Sequence, residues 1–451
     1  VLGSASAGFG MLALKAMAGM PLHKMARAKN IIFCFMDGGP SHVDTFDPKP
    51  MLKTHEGKPI GEGAVSKRSQ SNANRVWLGS PWEFKQRGQS GLWVSELFPH
   101  LAQVADKLCV VRSMVGELPL HGQQNLLLHT GRILGQAPSF GAWVSYGLGT
   151  ENQDLPGFVV MTSRDKEASC GQIFYDFYWG SGFLPSKYQG VKFRGSGDPV
   201  LYLSNPDGMS RELRRTMLDG LGELNAIKLR DHGDPETATR IAQYEMAYRM
   251  QSSVPELTDL SNEPKHILDM YGPDVLRQGS YAYNCLMARR LAERGVRFVQ
   301  LMHAGWDQHR NLNTQLKIQC TDVDAPSAAL IKDLKQRGLL EDTLVIWGGE
   351  FGRTPFLQGD ITNTKQWGRD HHPYAFTVWM AGGGIKGGTV YGETDDFSYN
   401  IVANPVHVHD FTATILHQFG FDHERFSYKF QGLDQRLTGV EPAQVVKGIL
   451  A

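Results

Sequence analysis

Residues 31–42 read IIFCFMDGGPSH, and this stretch decides the fold. Six apolar, β-favouring residues run without a polar break and then give way to Asp37, two glycines, Pro40, Ser41 and His42. A strand buried on both faces of a parallel sheet has this continuous apolar character, and its loop leaves from its carboxyl end. The same grammar recurs twice. RFVQLM (297–302) is followed by HAGWDQH (303–309), and TLVIW (343–347) by GGEFGR (348–353). Ligands of open α/β sheets bind beyond the carboxyl ends of the strands, so the three loops are expected to meet in one pocket although they lie far apart in the chain.

Helical patterns alternate with these strands. DPE (234–236) is a good cap and first turn for a helix to about residue 252, a second pattern covers 280–293 and stops before Gly295, and a third runs 312–337 with Gly338 as its stop. Further strands are expected at 108–112, 158–161 and 376–381, and a late helix at 410–419. This order implies right-handed crossovers and an α/β fold, with a central, mainly parallel sheet flanked by helices on both faces. The polar stretch 57–75 and the Gly/Ser/Pro-rich stretch 181–205 read as loop insertions in a single domain covering 26–451.

The chain has 451 residues, of which 41% are hydrophobic and 20% charged, enough to build a large core. Forty-six basic residues balance forty-six acidic ones, so no global positive field exists to hold nucleic acid. Five cysteines without CxxC spacing encode neither a disulfide framework nor a thiolate zinc site and are expected as buried free thiols. Residues 1–25 begin VLGSASAGFGMLALKAMAGM, apolar and small but interrupted by Lys15 and too short to span a bilayer. They resemble the end of an export signal of the Tat type, with an ordinary surface helix as the competing reading, and place the protein in the periplasm or cell envelope.

The richest chemistry is GRDHHP (368–373), an imidazole-bearing loop ahead of an apolar strand. With Asp37, Asp307, His309 and Glu350 it offers carboxylates and imidazoles at strand ends, a donor set suited to one or two divalent cations; each residue taken singly reads equally well as a loop hydrogen-bonder. Arg353 and Arg369 are candidate clamps for a tetrahedral oxyanion, against structural ion pairs to Glu350 or Asp370. His407 and His409 are expected to cap the helix that follows. Tyr175, Phe177, Tyr178 and Trp179 read as core, with a sugar-binding surface as the alternative. No GxGxxG follows the first strand, and neither a P-loop nor a GxSxG elbow occurs.

Nine segments carry a family resemblance: GGPSHVDTFDPKP (38–50), LHTGR (128–132), SYGLGTENQDLPGFVV (145–160), CLMARRLAERGVRFVQL (285–301), WDQH (306–309), VIWGGEFGRTP (345–355), GRDHHP (368–373), MAGGGIKGG (380–388) and HDFTATILHQFG (409–420). Together they resemble domain-of-unknown-function family 1501, exported bacterial proteins grouped with the alkaline phosphatase and sulfatase superfamily. The resemblance implies metal ligands at Asp37, Asp307, His309, Glu350 and His371, with Phe351 standing where phosphatases carry a histidine. It also places His121 where sulfatases carry their modified cysteine, and Asn125 where they carry an arginine. His121 is then open to three roles: a phosphorylated nucleophile, a metal ligand, or a group that orients a metal-activated water.

The implied function is a metal-dependent hydrolase of phosphate or sulfate esters, small or polysaccharide, acting outside the cytoplasm, with His121 and Arg353 beside the ester. Imidazole donors favour zinc or manganese, and sulfatase kinship points to calcium. The competing implication is a catalytically silent metal- or carbohydrate-binding envelope protein of the same fold.

Overall fold

The computed structural model describes residues 20–61, 75–163, 175–200, 203–233 and 235–451. The leader-like segment up to residue 19, most of the 57–75 insertion, Cys170 and the expected cap Asp234 lie outside the described residues.

Among the described residues the central sheet has nine strands: β1 (Asn30–Met36), β2 (Cys109–Val115), β3 (Phe158–Thr162), β4 (Val191–Phe193), β5 (Phe298–His303), β6 (Thr343–Gly348), β7 (Phe376–Ala381), β8 (Thr389–Tyr391) and β9 (Val406–His407). Their order across the sheet is β8-β2-β7-β6-β1-β5-β3-β4, with β9 paired alongside β2. β1 lies at the centre, parallel to β5 on one side and to β6 on the other. β7 runs antiparallel to both its neighbours, β2 and β6, and the other pairings are parallel. The sheet is therefore mainly parallel, as its apolar runs predict.

Helices cover both faces: α1 (His121–Thr130), α2 (Phe140–Leu148), α3 (Arg211–His232), α4 (Pro235–Thr258), α5 (Tyr281–Glu293), α6 (Leu312–Gln336) and α7 (Val408–Gln418). Alternation along β1 shows why both faces need cover. Ile32, Cys34 and Met36 pack with α5 and α6, while Ile31, Phe33 and Phe35 pack with α1, α2 and α7. All seven β1 residues are buried, and each large apolar side chain so buried stabilises the fold by about 1.5–3 kcal/mol. Cys34, Cys109, Cys285 and Cys320 are buried free thiols.

The structure departs from expectation in three places. The stretch 181–205 is not all loop: it supplies the edge strand β4 and a short 3₁₀ turn, Ser186–Tyr188. Helix α4 continues past residue 252 to Thr258, with Pro255 inside its last turn. Helix α3 has no counterpart in the sequence reading; the Ser210 hydroxyl caps it by accepting from the Leu213 N–H. Tyr178 and Trp179 are buried, whereas Phe177 is partly exposed. No helix among the described residues is long and apolar enough to cross a membrane.

Candidate metal centre

The carboxyl ends of β1, β5 and β6 supply the floor of the site. The Asp37 N–H donates to the His303 carbonyl (2.9 Å), and the Trp306 N–H donates back to the Asp37 carbonyl (3.2 Å), so the first two loops are laced together. Gly38 makes this approach feasible. Its φ is +117°, and a Cβ there would stand 2.6 Å from the Asp307 nitrogen. The third loop carries Glu350 and Phe351 into the two-residue strand Gly352–Arg353, which pairs antiparallel with His371–His372. His121 is the first residue of α1.

Four of these side chains converge. One ligand atom each from His121, Asp307, His309 and His371 lies within 4.8 Å of the other three. The hub is Asp307 Oδ1, which stands 2.8 Å from His309 Nε2, 3.2 Å from His371 Nε2 and 3.4 Å from His121 Nε2. His309 Nε2 and His371 Nε2 are 2.8 Å apart.

The far side of each ring fixes what the near side presents. His121 Nδ1 donates to Glu350 Oε1 (2.6 Å), His309 Nδ1 to Gln358 Oε1 (2.5 Å) and His371 Nδ1 to the Pro119 carbonyl (2.8 Å). All three partners are acceptors, so each neutral ring keeps its proton on Nδ1 and turns Nε2 toward one carboxylate oxygen. Such a cluster suits a positive charge at its centre, a proton or a cation, and outer acceptors of this kind orient metal-bound imidazoles. His121 Nε2 is buried and makes no hydrogen bond among the described residues. Three nitrogens and one carboxylate oxygen fit zinc or manganese and are a poor set for calcium, which takes oxygen donors.

Electrostatics point the same way. Burial opposes ionisation of Asp307, but the Arg353 guanidinium and the surrounding His121, His309 and His371 rings hold its carboxyl far below the usual range. Burial also opposes protonation of His121, yet the Asp307 and Glu350 carboxylates overcome it and raise its pKa to about 9. Burial lowers His371 to about 4, against the pull of Asp307. A proton on His121 and a divalent cation are alternative balances for the same carboxylate charge, so they compete.

Two expected ligands stand outside this group of four. Glu350 lies behind His121: both its oxygens accept from the Gly38 N–H (3.1 and 3.2 Å), and Oε1 also takes the His121 proton. Asp37 is buried at the end of β1 and is not among the converging donors. His121, expected beside the ester, joins the donor group itself.

Arg353 corrects the sequence reading. Expected as an oxyanion clamp, it is fully buried, with Nε donating to the Gly39 carbonyl (3.0 Å), Nη1 to Arg369 (3.2 Å), and Nη2 to Trp306 (3.3 Å), Gly38 and Asp307 Oδ1 (2.5 Å). Its fork is spent on holding the loops and the hub carboxylate. Arg369 likewise forms a buried bidentate pair, with Asp44 rather than with Glu350 or Asp370. His407 caps α7 in a reciprocal capping box with Asp410, and His409 Nε2 bonds to the Gly131 carbonyl.

Gln358 and Pro119 escaped the sequence reading. Neither carries a signal, because an amide side chain in a loop and a main-chain carbonyl look alike wherever they occur.

The family model described as "Protein of unknown function (DUF1501)" matches residues 28–450. A search of curated proteins finds no match. Among solved structures, the chain is similar to the PsFucS1 sulfatase from Pseudoalteromonas sp. at 14% identity and TM-score 0.36, covering 92% of this chain and 72% of the other. It is also similar to a protein in the alkaline phosphatase superfamily from Vibrio parahaemolyticus (10% identity, TM-score 0.34, 90% and 70% covered). A phosphonate monoester hydrolase from Silicibacter pomeroyi gives 11% identity and TM-score 0.34, with 87% and 73% covered.

Proposed function

This chain belongs to the DUF1501 family, and we propose that it is a divalent-metal-dependent hydrolase of phosphate or sulfate esters, exported and folded as one domain over residues 26–451. The observation that carries the reading is the convergence of three imidazole Nε2 atoms on Asp307 Oδ1. The ester class rests on the superfamily resemblance of the loops that build the site.

A cation bound there would polarise a phosphoryl or sulfuryl oxygen and acidify a coordinated water. The chain's own residues prepare the place. Arg353 fixes Asp307 and keeps it ionised, Glu350 holds the His121 proton on Nδ1, and the Phe351 ring packs against His121 (4.9 Å) and His371 (4.6 Å), excluding water from their flanks.

The test is metal analysis followed by assays on aryl phosphates, phosphodiesters and aryl sulfates. Hydrolysis that falls at least about 100-fold in both His121→Ala and Asp307→Ala is the expected result. Turnover surviving both substitutions would place the chemistry elsewhere. One feature favours a second reading, a silent protein with a structural ion: four protein donors would fill the coordination of a zinc ion, whereas catalytic zinc sites keep a position open. Tight metal binding without turnover on any of the three substrate classes would select it.

A further inference from the structure

We propose that His309 is the exchangeable ligand of the site, latched by Gln358, and that it swings aside to admit the anionic oxygen of the substrate. This rests on the metal reading above and supplies the open position that four protein donors would otherwise deny.

The four donors are not held alike. The His309 side chain is 30% exposed, against 14% for His121, 11% for Asp307 and 7% for His371. His121 is tied by a charge-assisted hydrogen bond to a fully buried carboxylate, roughly twice as strong as a neutral one. His371 belongs to a β-pair with Arg353 and stacks on Phe351, and Asp307 is gripped by the Arg353 guanidinium. His309 has a neutral amide for its outer partner, and its only ring neighbour among the described residues is His371 (4.6 Å).

Its main chain, in contrast, is pinned. The His309 N–H bonds to the Asp307 carbonyl (3.1 Å), and Gly368 lies so close that a Cβ on it would stand 2.0 Å from the His309 carbonyl oxygen. Any release is therefore a side-chain rotation at the rim, with the loop staying in place. Breaking it costs one amide hydrogen bond and one ligand contact and leaves the carboxylate and two imidazoles, three protein donors and an open position. Gln358 is itself steady: its N–H donates to the Gly368 carbonyl (2.8 Å), so the latch is mounted on the ladder that carries the GRDHHP loop.

Zinc affinity by chelator competition, on the full chain, ranks the ligands without recourse to turnover. His309→Ala is expected to weaken binding by about 10-fold or less, and His121→Gln and His371→Gln by about 100-fold. Gln358→Leu should match His309→Ala, and Gln358→Glu should restore wild-type affinity or exceed it. Inorganic phosphate added to the cobalt-loaded protein should change its visible spectrum in the wild type, and less in Gln358→Glu. Affinity lost equally in His309→Ala and His371→Gln, or unaltered in Gln358→Leu, overturns the inference alone. Failure of the unsubstituted protein to bind zinc or cobalt overturns it together with the proposed function.

Discussion

The pocket at the strand ends and the hairpin of α3 and α4 are built on opposite principles. In the pocket Arg353, Glu350 and His371 are buried and Asp307 is largely covered, and their hydrogen bonds run to groups from distant parts of the chain. Helix α3 has no buried residue over its whole length. Leu213, Met217, Leu221, Leu224 and Ile227, spaced at three and four residues, all face outward, and a surface pair of Arg215 with Glu245 ties α3 to α4. Helix α3 is thus held by capping, helix propensity and screened charge, each contributing tenths of a kcal/mol to about 1, while α4 anchors the hairpin by burying Met250, Val254 and Leu257 in the core. The pocket depends on compensated burial, where loss of one partner exposes the full cost of the other.

If the comparison is sound, Arg353→Leu is the most damaging change, because it strands the Asp307 carboxylate and the carbonyls of Gly38, Gly39, Trp306 and Arg369. A loss of about 3–5 kcal/mol in urea unfolding is expected. A loss under about 1 kcal/mol would show the ion pair to be incidental. Gly38→Ala comes next, costing about 2–4 kcal/mol through its positive φ and the clash with the Asp307 backbone, with loss of metal affinity as a second readout. Ser210→Ala should cost only about 1 kcal/mol as a lost helix cap, and Leu224→Lys less than about 0.5 kcal/mol in thermal or urea unfolding. A larger effect of Leu224→Lys would reveal that the outward stripe is covered in solution.

The two regions also differ in their response to pH. His121 rises from an ordinary value of 6.5 to about 9 in the folded, chelated protein. Its contribution to stability is therefore complete below pH 6.5 and is lost as pH climbs through 9. Urea midpoints of chelated protein should fall over that interval, whereas zinc affinity should rise as the competing proton leaves. His121→Gln should flatten both trends, and Leu224→Lys should leave both intact.

The same contrast explains what was legible in the sequence. Strands β1, β5 and β6 were foreseen to within a residue or so because unbroken apolar runs have few alternatives to a doubly covered parallel strand. Their loops held Asp307, and the loop before β7 held His371. Whether a strand-end carboxylate faces a cation or the back of an imidazole is a matter of side-chain direction, which spacing does not encode, so Glu350 was expected in a different place. Helix α1 (HGQQNLLLHT) shows no amphipathic period and no side-chain cap, so residue patterning gave no sign of the helix, and only the family resemblance brought its first residue, His121, to the site. Helix α3 was missed because Gly220 and Gly222 interrupt its pattern.

The donors come from three remote segments, at 121, 307–309 and 371, so no short fragment brings all four together; capture of an ion by the full set would await completion of the tertiary structure. An ion bound at the proposed site would stabilise the native state as a whole, raising the melting temperature with free-ion concentration in the manner of any ligand specific to the native state. Imidazole-rich sites follow availability as much as preference. The metal inventory of the compartment in which the polypeptide folds would then determine which element the site takes up.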